Sequence, residues 1–150
     1  MWPRPRIPRV IAALALAAGL VVFPSVSSGL TGKTVPFAFT DIDGGAVRLA
    51  DLRGQWVLVS FWAPWCPLCK VQVPALQQLD GRPDLTVIGI GLDYDKPQTL
   101  RVTMDTFGMT FRTVAGGSRR EPNSPHRQVG PVDFFPTSYL YDPAGEIATY

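Results

Sequence analysis

Apolar residues fall into a few runs along the chain, and the period of each run assigns an element. Trp56-Val57-Leu58-Val59-Ser60-Phe61-Trp62 is almost continuously apolar, as expected of a strand covered on both faces. Leu85 to Leu92 (LTVIGIGL) reads as a second such strand and Thr137 to Asp142 (TSYLYD) as a third. Pro143-Ala144-Gly145 then turns the chain, and Glu146 to Tyr150 begins a fourth. From about Cys66 to Leu79 the spacing becomes helical, with Val71, Ala75, Leu76 and Leu79 on one stripe and a kink predicted at Pro74. Pro97 and Gly108 bracket a second helix, Gln98 to Phe107. Phe37 to Ile42 and Ala46 to Leu49 flank Asp43-Gly44-Gly45 and read as a hairpin, followed by a turn at Asp51-Leu52-Arg53-Gly54. Phe111 to Val114 is a further strand, and 115–131 is a polar loop. Buried strands alternating with helices predict an α/β fold.

The first 28 residues follow another pattern. Arg4, Arg6 and Arg9 precede an uncharged apolar run, Val10 to Phe23, that stops at Pro24. Such a run would reach about 21 Å as a helix, against about 30 Å of hydrocarbon core. With the small residues Ser25 to Ser28 behind it, it reads as a secretory signal cut after Ser28, the rival being an uncleaved N-terminal membrane anchor. No cysteine follows the run and Arg4 and Arg6 are not adjacent, so a lipid anchor and a twin-arginine signal are excluded. Residues 29–36 read as a linker and 37–150 as one domain, working outside the cytoplasm where disulfides persist.

Composition narrows the function classes. The 150 residues are 46% hydrophobic and 17% charged, which excludes a disordered chain or a coiled coil. Once the leader arginines are set aside, 11 basic residues face 12 acidic ones, so nothing in the body is built to hold nucleic acid. Glycine-rich phosphate loops and a Ser/His/Asp arrangement are absent from the sequence.

The two cysteines, Cys66 and Cys69, are three residues apart. Such a pair can be half a zinc site, a staple or a redox couple. Zinc wants about four ligands, and the one histidine, His126, lies far off in what reads as a solvated loop. A staple over so short a loop contributes little. Placement between a buried strand and a helix favours redox chemistry. Cys66 falls at a helix N-terminus, where free N–H groups and the helix dipole stabilise a thiolate, and Pro67 occupies a position whose missing N–H costs nothing. Cys69 sits one turn on, placed to resolve a mixed disulfide.

Phe61-Trp62-Ala63-Pro64-Trp65-Cys66-Pro67-Leu68-Cys69, with Gly54, Trp56, Pro74 and Phe135-Pro136-Thr137, resembles the TlpA/ResA-type extracytoplasmic branch of thioredoxin-like thiol–disulfide oxidoreductases over about residues 35–150. The resemblance implies a thioredoxin-like fold, a central mixed β-sheet flanked by helices, here with an N-terminal β-hairpin extension. It implies a redox disulfide between Cys66 (nucleophile) and Cys69 (resolving), and a cis-proline at Pro136 facing them. Trp65, Phe135 and Pro136 are then the substrate-binding residues, the Phe135 backbone pairing with the substrate chain. No cofactor or metal is implied. The implied partners are protein thiol or disulfide substrates, apocytochrome c thiols among them, and a membrane thiol electron donor.

The chain departs from the family pattern at three places. Ser60 and Gln72 stand where the family usually has acids that manage the buried thiol's proton, with the loop residue Asp133 as a substitute to be weighed. The active-site dipeptide is Pro67-Leu68, where the branch more often has proline second. The family also continues its last strand and adds a helix, whereas this sequence stops at Tyr150 inside that strand. The expectation is therefore either a truncated C-terminal strand and helix, or cover from another element over the face bearing Val57, Val59, Ile88, Ile90 and Leu140. Asp93 and Asp95 end a buried strand, where turn chemistry explains them as well as a site does, and Arg119-Arg120 reads as a solvated pair. The leading function is reduction of protein disulfides outside the cytoplasm. The alternative is a copper-carrying chaperone using Cys66, Cys69 and His126. A peroxidase is disfavoured because a Thr-x-x-Cys lead-in is absent.

Overall fold

The computed structural model describes residues 29–150, so the leader reading lies outside the described residues. In chain order the elements are β1 (Ala38–Thr40), β2 (Ala46–Arg48), β3 (Trp56–Trp62), α1 (Pro67–Asp80), β4 (Leu85–Gly91), α2 (Pro97–Phe107), β5 (Arg112–Ala115), β6 (Thr137–Tyr141) and β7 (Ile147–Thr149). Short 3-10 turns cover Leu49–Leu52 and Pro125–Gln128. β1 and β2 form an antiparallel hairpin. The other five strands form one sheet in the order β5-β4-β3-β6-β7, parallel from β3 to β5 and antiparallel at β6 and β7. This is a mixed sheet of thioredoxin type.

Alternation along β3 sends its side chains to two cores. Val57, Val59 and Phe61 join Ile88, Ile90, Tyr139 and Tyr141 under the hairpin residues Phe37, Phe39 and Val47. Trp62 joins Val73 and Leu76 of α1 and Leu100 and Met104 of α2 on the opposite side. The N-terminal segment thus covers the face that carries Val57, Val59, Ile88 and Ile90. Leu140, expected with them, alternates to the helix side and is half-buried there. The hairpin is fastened to the sheet edge by Ile42 N–H donating to the Thr113 carbonyl at 3.0 Å and by Arg112 pairing with the buried Asp41 at 3.1 Å. Asp41 Oδ1 also accepts from the N–H groups of Asp43 (3.0 Å) and Gly45 (2.7 Å), closing the turn. Within the stretch read as a linker, Gly32 N–H donates to the Ile147 carbonyl at 2.8 Å and Ile147 N–H to the Lys33 carbonyl at 3.0 Å.

α1 buries Cys69, Val73 and Leu76 and leaves Val71 exposed, so the apolar stripe is offset from the Val71-Ala75 line read from the sequence. The offset arises because Cys69 must face the core, and positions three and four residues on follow it. Pro74 lies inside α1 without ending it. α2 stops where Gly108 takes a left-handed φ of 67°, with its N–H returning to carbonyls of the last turn.

Candidate active site

β3 delivers the chain to the disulfide. Its last residues are buried, and Ala63-Pro64-Trp65 then turn the chain so that Cys66 N–H donates to the Ala63 carbonyl at 3.0 Å. Cys66 is the N-cap of α1, with extended backbone, and Pro67 starts the helix. Cys66 Sγ accepts from Cys69 N–H at 3.1 Å and is bonded to Cys69 Sγ. The same N–H is placed to hold negative charge on Cys66 sulfur once the bond opens. Each cysteine keeps only 4% of its surface in the oxidised form.

Beneath the disulfide lies a cavity of about 10 Å³ lined by Ser60, Trp62, Cys69, Gln72 and apolar residues of α1, α2 and β5's approach. That is the size of one water. Ser60 and Gln72 therefore both reach the Cys69 side, and none of the lining residues is an acid. The Ser138 hydroxyl donates to Ser60 Oγ at 3.3 Å, and Trp62 Nε1 is buried without a hydrogen-bond partner. Asp133 lines a separate open groove of about 450 Å³ that also includes Gln72, Pro136 and Ser138.

The Phe135–Pro136 peptide bond is cis. Phe135 meets Trp65 edge to face at 5.4 Å between ring centroids, and Trp65, 57% exposed, donates from Nε1 to the Asp93 carbonyl at 3.2 Å. These contacts bring Trp65 and Phe135 together, as neighbours of Cys66 and Pro136 respectively. Asp93 sits at a left-handed φ of 52° just beyond β4, with its carboxylate turned to the 116–120 loop. Burial opposes its ionisation but is outweighed by hydrogen bonds from Arg119 and Ser118, so its carboxyl is held below the usual range. Asp95, by contrast, is exposed.

Two sequence readings are corrected. Arg119 is not a solvated partner of Arg120: its side chain is 22% exposed and paired with Asp93 at 2.6 Å, while Arg120 is exposed. Nothing in the local sequence distinguishes the two arginines, since their difference is made by Asp93, 26 residues away. His126 is not a loop histidine in water but is 1% exposed, its ring edge-on to Phe61 at 6.2 Å on the hairpin side. Desolvation pushes its pKa down, Arg127 adds to that, and the Gly116 carbonyl and Asp93 oppose it. The cysteines pack in the helix-side core, so the copper site built on His126 is not formed. Among the described residues no three His, Cys, Asp or Glu side chains gather as metal ligands.

The sequence matches the AhpC/TSA family over residues 31–149. The thiol-disulfide oxidoreductase ResA of Geobacillus kaustophilus is 27% identical over 146 residues, covering 92% of this chain and 80% of that protein. The thioredoxin-like protein YneN of Bacillus subtilis is 27% identical over 121 residues, covering 77% and 68%. Among solved structures, a thiol:disulfide interchange protein of the thioredoxin family from Chlorobium tepidum superposes with a TM-score of 0.64 at 23% identity, covering 79% of this chain and 83% of that one.

Proposed function

This chain belongs to the AhpC/TSA family as a thioredoxin-like thiol–disulfide oxidoreductase, and we propose that it reduces protein disulfides outside the cytoplasm. The observation that carries this reading is the Cys66–Cys69 bond at the N-terminus of α1, with the Cys69 N–H aimed at Cys66 sulfur. In the reduced protein the Cys66 thiolate attacks one sulfur of the substrate disulfide, and the other substrate sulfur leaves as a thiolate. Cys69, having given up its proton, then attacks Cys66 sulfur. The mixed disulfide breaks, the second substrate thiolate departs, and two electrons have moved from the cysteine pair to the substrate. A membrane thiol donor returns them. Trp65, Phe135 and Pro136 receive the substrate chain, residues 1–28 carry the 37–150 domain out of the cytoplasm, and apocytochrome c disulfides are the proposed substrate class.

Insulin reduction tests the reading. Cys66→Ser is expected to abolish turnover, whereas Cys69→Ser is expected to retain the first attack and accumulate a mixed disulfide. Turnover by Cys66→Ser overturns the nucleophile assignment. A Cys66–Cys69 potential near the about −120 mV of strong oxidants overturns the reductase direction.

A further inference from the structure

One side chain joins the segments beside the disulfide. Arg119 Nε donates to Asp93 Oδ2 at 2.6 Å, its backbone N–H to Asp93 Oδ1 at 2.9 Å, and its Nη1 to the Asp133 carbonyl at 3.2 Å. Its guanidinium lies over the Phe135 ring, 4.4 Å from the centroid, and 5.8 Å from the centroid of Trp65. The same Asp93 accepts the Trp65 indole N–H on its backbone carbonyl. The guanidinium therefore touches the aromatic neighbours of Cys66 and Pro136, together with the acid and the carbonyl that fix it in place.

An ion pair with both side chains about four-fifths covered loses hydration that its mutual attraction roughly repays, so stability alone is a weak reason for it. Order is a better one. A planar cation that donates from Nε to a carboxylate and from Nη1 to a carbonyl while lying over rings restrains those rings at once, which an ammonium does not do. Rings restrained before binding lose less entropy when a partner lies against them. We propose that Arg119 is a positioning residue for the dithiol reaction, holding Trp65 and Phe135 as a pre-ordered lip for the polypeptide around a substrate disulfide. Small disulfides, which bring no polypeptide, do not use it.

The test compares insulin with hydroxyethyl disulfide as substrates for the full chain and its Arg119→Gln and Arg119→Lys variants. The kinetic arm rests on the oxidoreductase reading. The expected result is a KM for insulin raised about tenfold in both variants, with kcat and the hydroxyethyl disulfide rate within about twofold of the parent. An unchanged insulin KM overturns the proposal. Equal slowing on both substrates also overturns it, because Arg119 would then act on the cysteines themselves. A second measurement is independent of turnover: the heteronuclear Overhauser effect of the Trp65 indole N–H, assigned with Trp65→Phe. It is expected to show a looser indole in Arg119→Lys, and an indole as rigid as the parent's overturns the clamp. Should Arg119→Gln not fold, Arg119→Lys decides by both readouts. Should the parent reduce neither disulfide, the oxidoreductase reading fails while the indole measurement still decides the clamp.

Discussion

On the hairpin side of the sheet, Phe61 packs edge to face on both Tyr139 and His126, and Phe37 does the same on Tyr141, beneath β1 and β2. On the helix side, Trp62 and Cys69 border a small cavity that Ser60 and Gln72 also line. Burial has opposite uses on the two sides. Under the hairpin every titratable ring is driven to its neutral form. Tyr139 is pushed up to about 12, mainly by desolvation with help from Tyr150 and Asp133, and Tyr141 is raised further by burial. His126 is pushed the other way for the same reason. On the helix side the packing stops short of closure next to Cys69, whose sulfur must lose its proton before it can resolve the mixed disulfide. The sealed side holds the sheet rigid, and the unsealed side leaves polar atoms and space where the reaction needs them.

Neighbouring aromatics on β3 test that division most severely. Phe61→Ala and Trp62→Ala are each expected to lower unfolding stability in urea by about 3–5 kcal/mol. Insulin reduction per folded molecule is expected to stay within about twofold in Phe61→Ala but to fall about tenfold or more in Trp62→Ala, whose side chain lines the Cys69 cavity. Equal activity losses would break the comparison.

A smaller effect concerns His126. Its folded-state pKa lies below the ordinary 6.5, so on acidification the unfolded chain takes up the proton first. Stability is fully retained above about pH 6.5 and falls below it, by at most about 1.4 kcal/mol per pH unit, until the folded-state pKa is reached. Urea midpoints measured from about pH 7.5 to about pH 5.5 are expected to show this slope, and His126→Phe to flatten it. An unchanged slope in the variant would mean that the hairpin side does not exclude charge.

The smallest effect is expected at Ser60. Its hydroxyl partner, Ser138, is half-buried and borders the open groove, so Ser60→Ala leaves no sealed polar atom behind and is expected to cost about 1 kcal/mol or less. A loss several times larger, measured by thermal unfolding, would show that the helix-side polar pair is as tightly sealed as the hairpin core.

Continuous apolar runs and helical spacing placed β3, α1, β4 and α2 close to their observed ends, because those runs, the Pro67 and Pro97 starts and the Gly108 stop act within a few residues. The phase of α1 was less legible. Val71 is as apolar as Val73, yet only Val73 is buried, since the disulfide fixes which side of the helix turns inward. Arg119 and His126 were misread for one reason: each lies in a Gly/Pro/Ser-rich stretch that looks solvated, and each is covered by residues distant in sequence.

By itself the sequence determined the strand–turn–helix junction that places Cys66 at a helix N-terminus and Cys69 one turn on, because both depend on backbone preferences and dipoles that act locally. It determined the hairpin too, through Asp41 and the glycines after it. Only the tertiary structure decided which core the hairpin covers, that Ser60 and Gln72 share a cavity with Cys69, and that Arg119 spans Asp93, Phe135 and Trp65. Burial and charge pairing belong to whichever side chains the chain's long-range path brings within a few ångströms, and spacing along the sequence carries no record of that path.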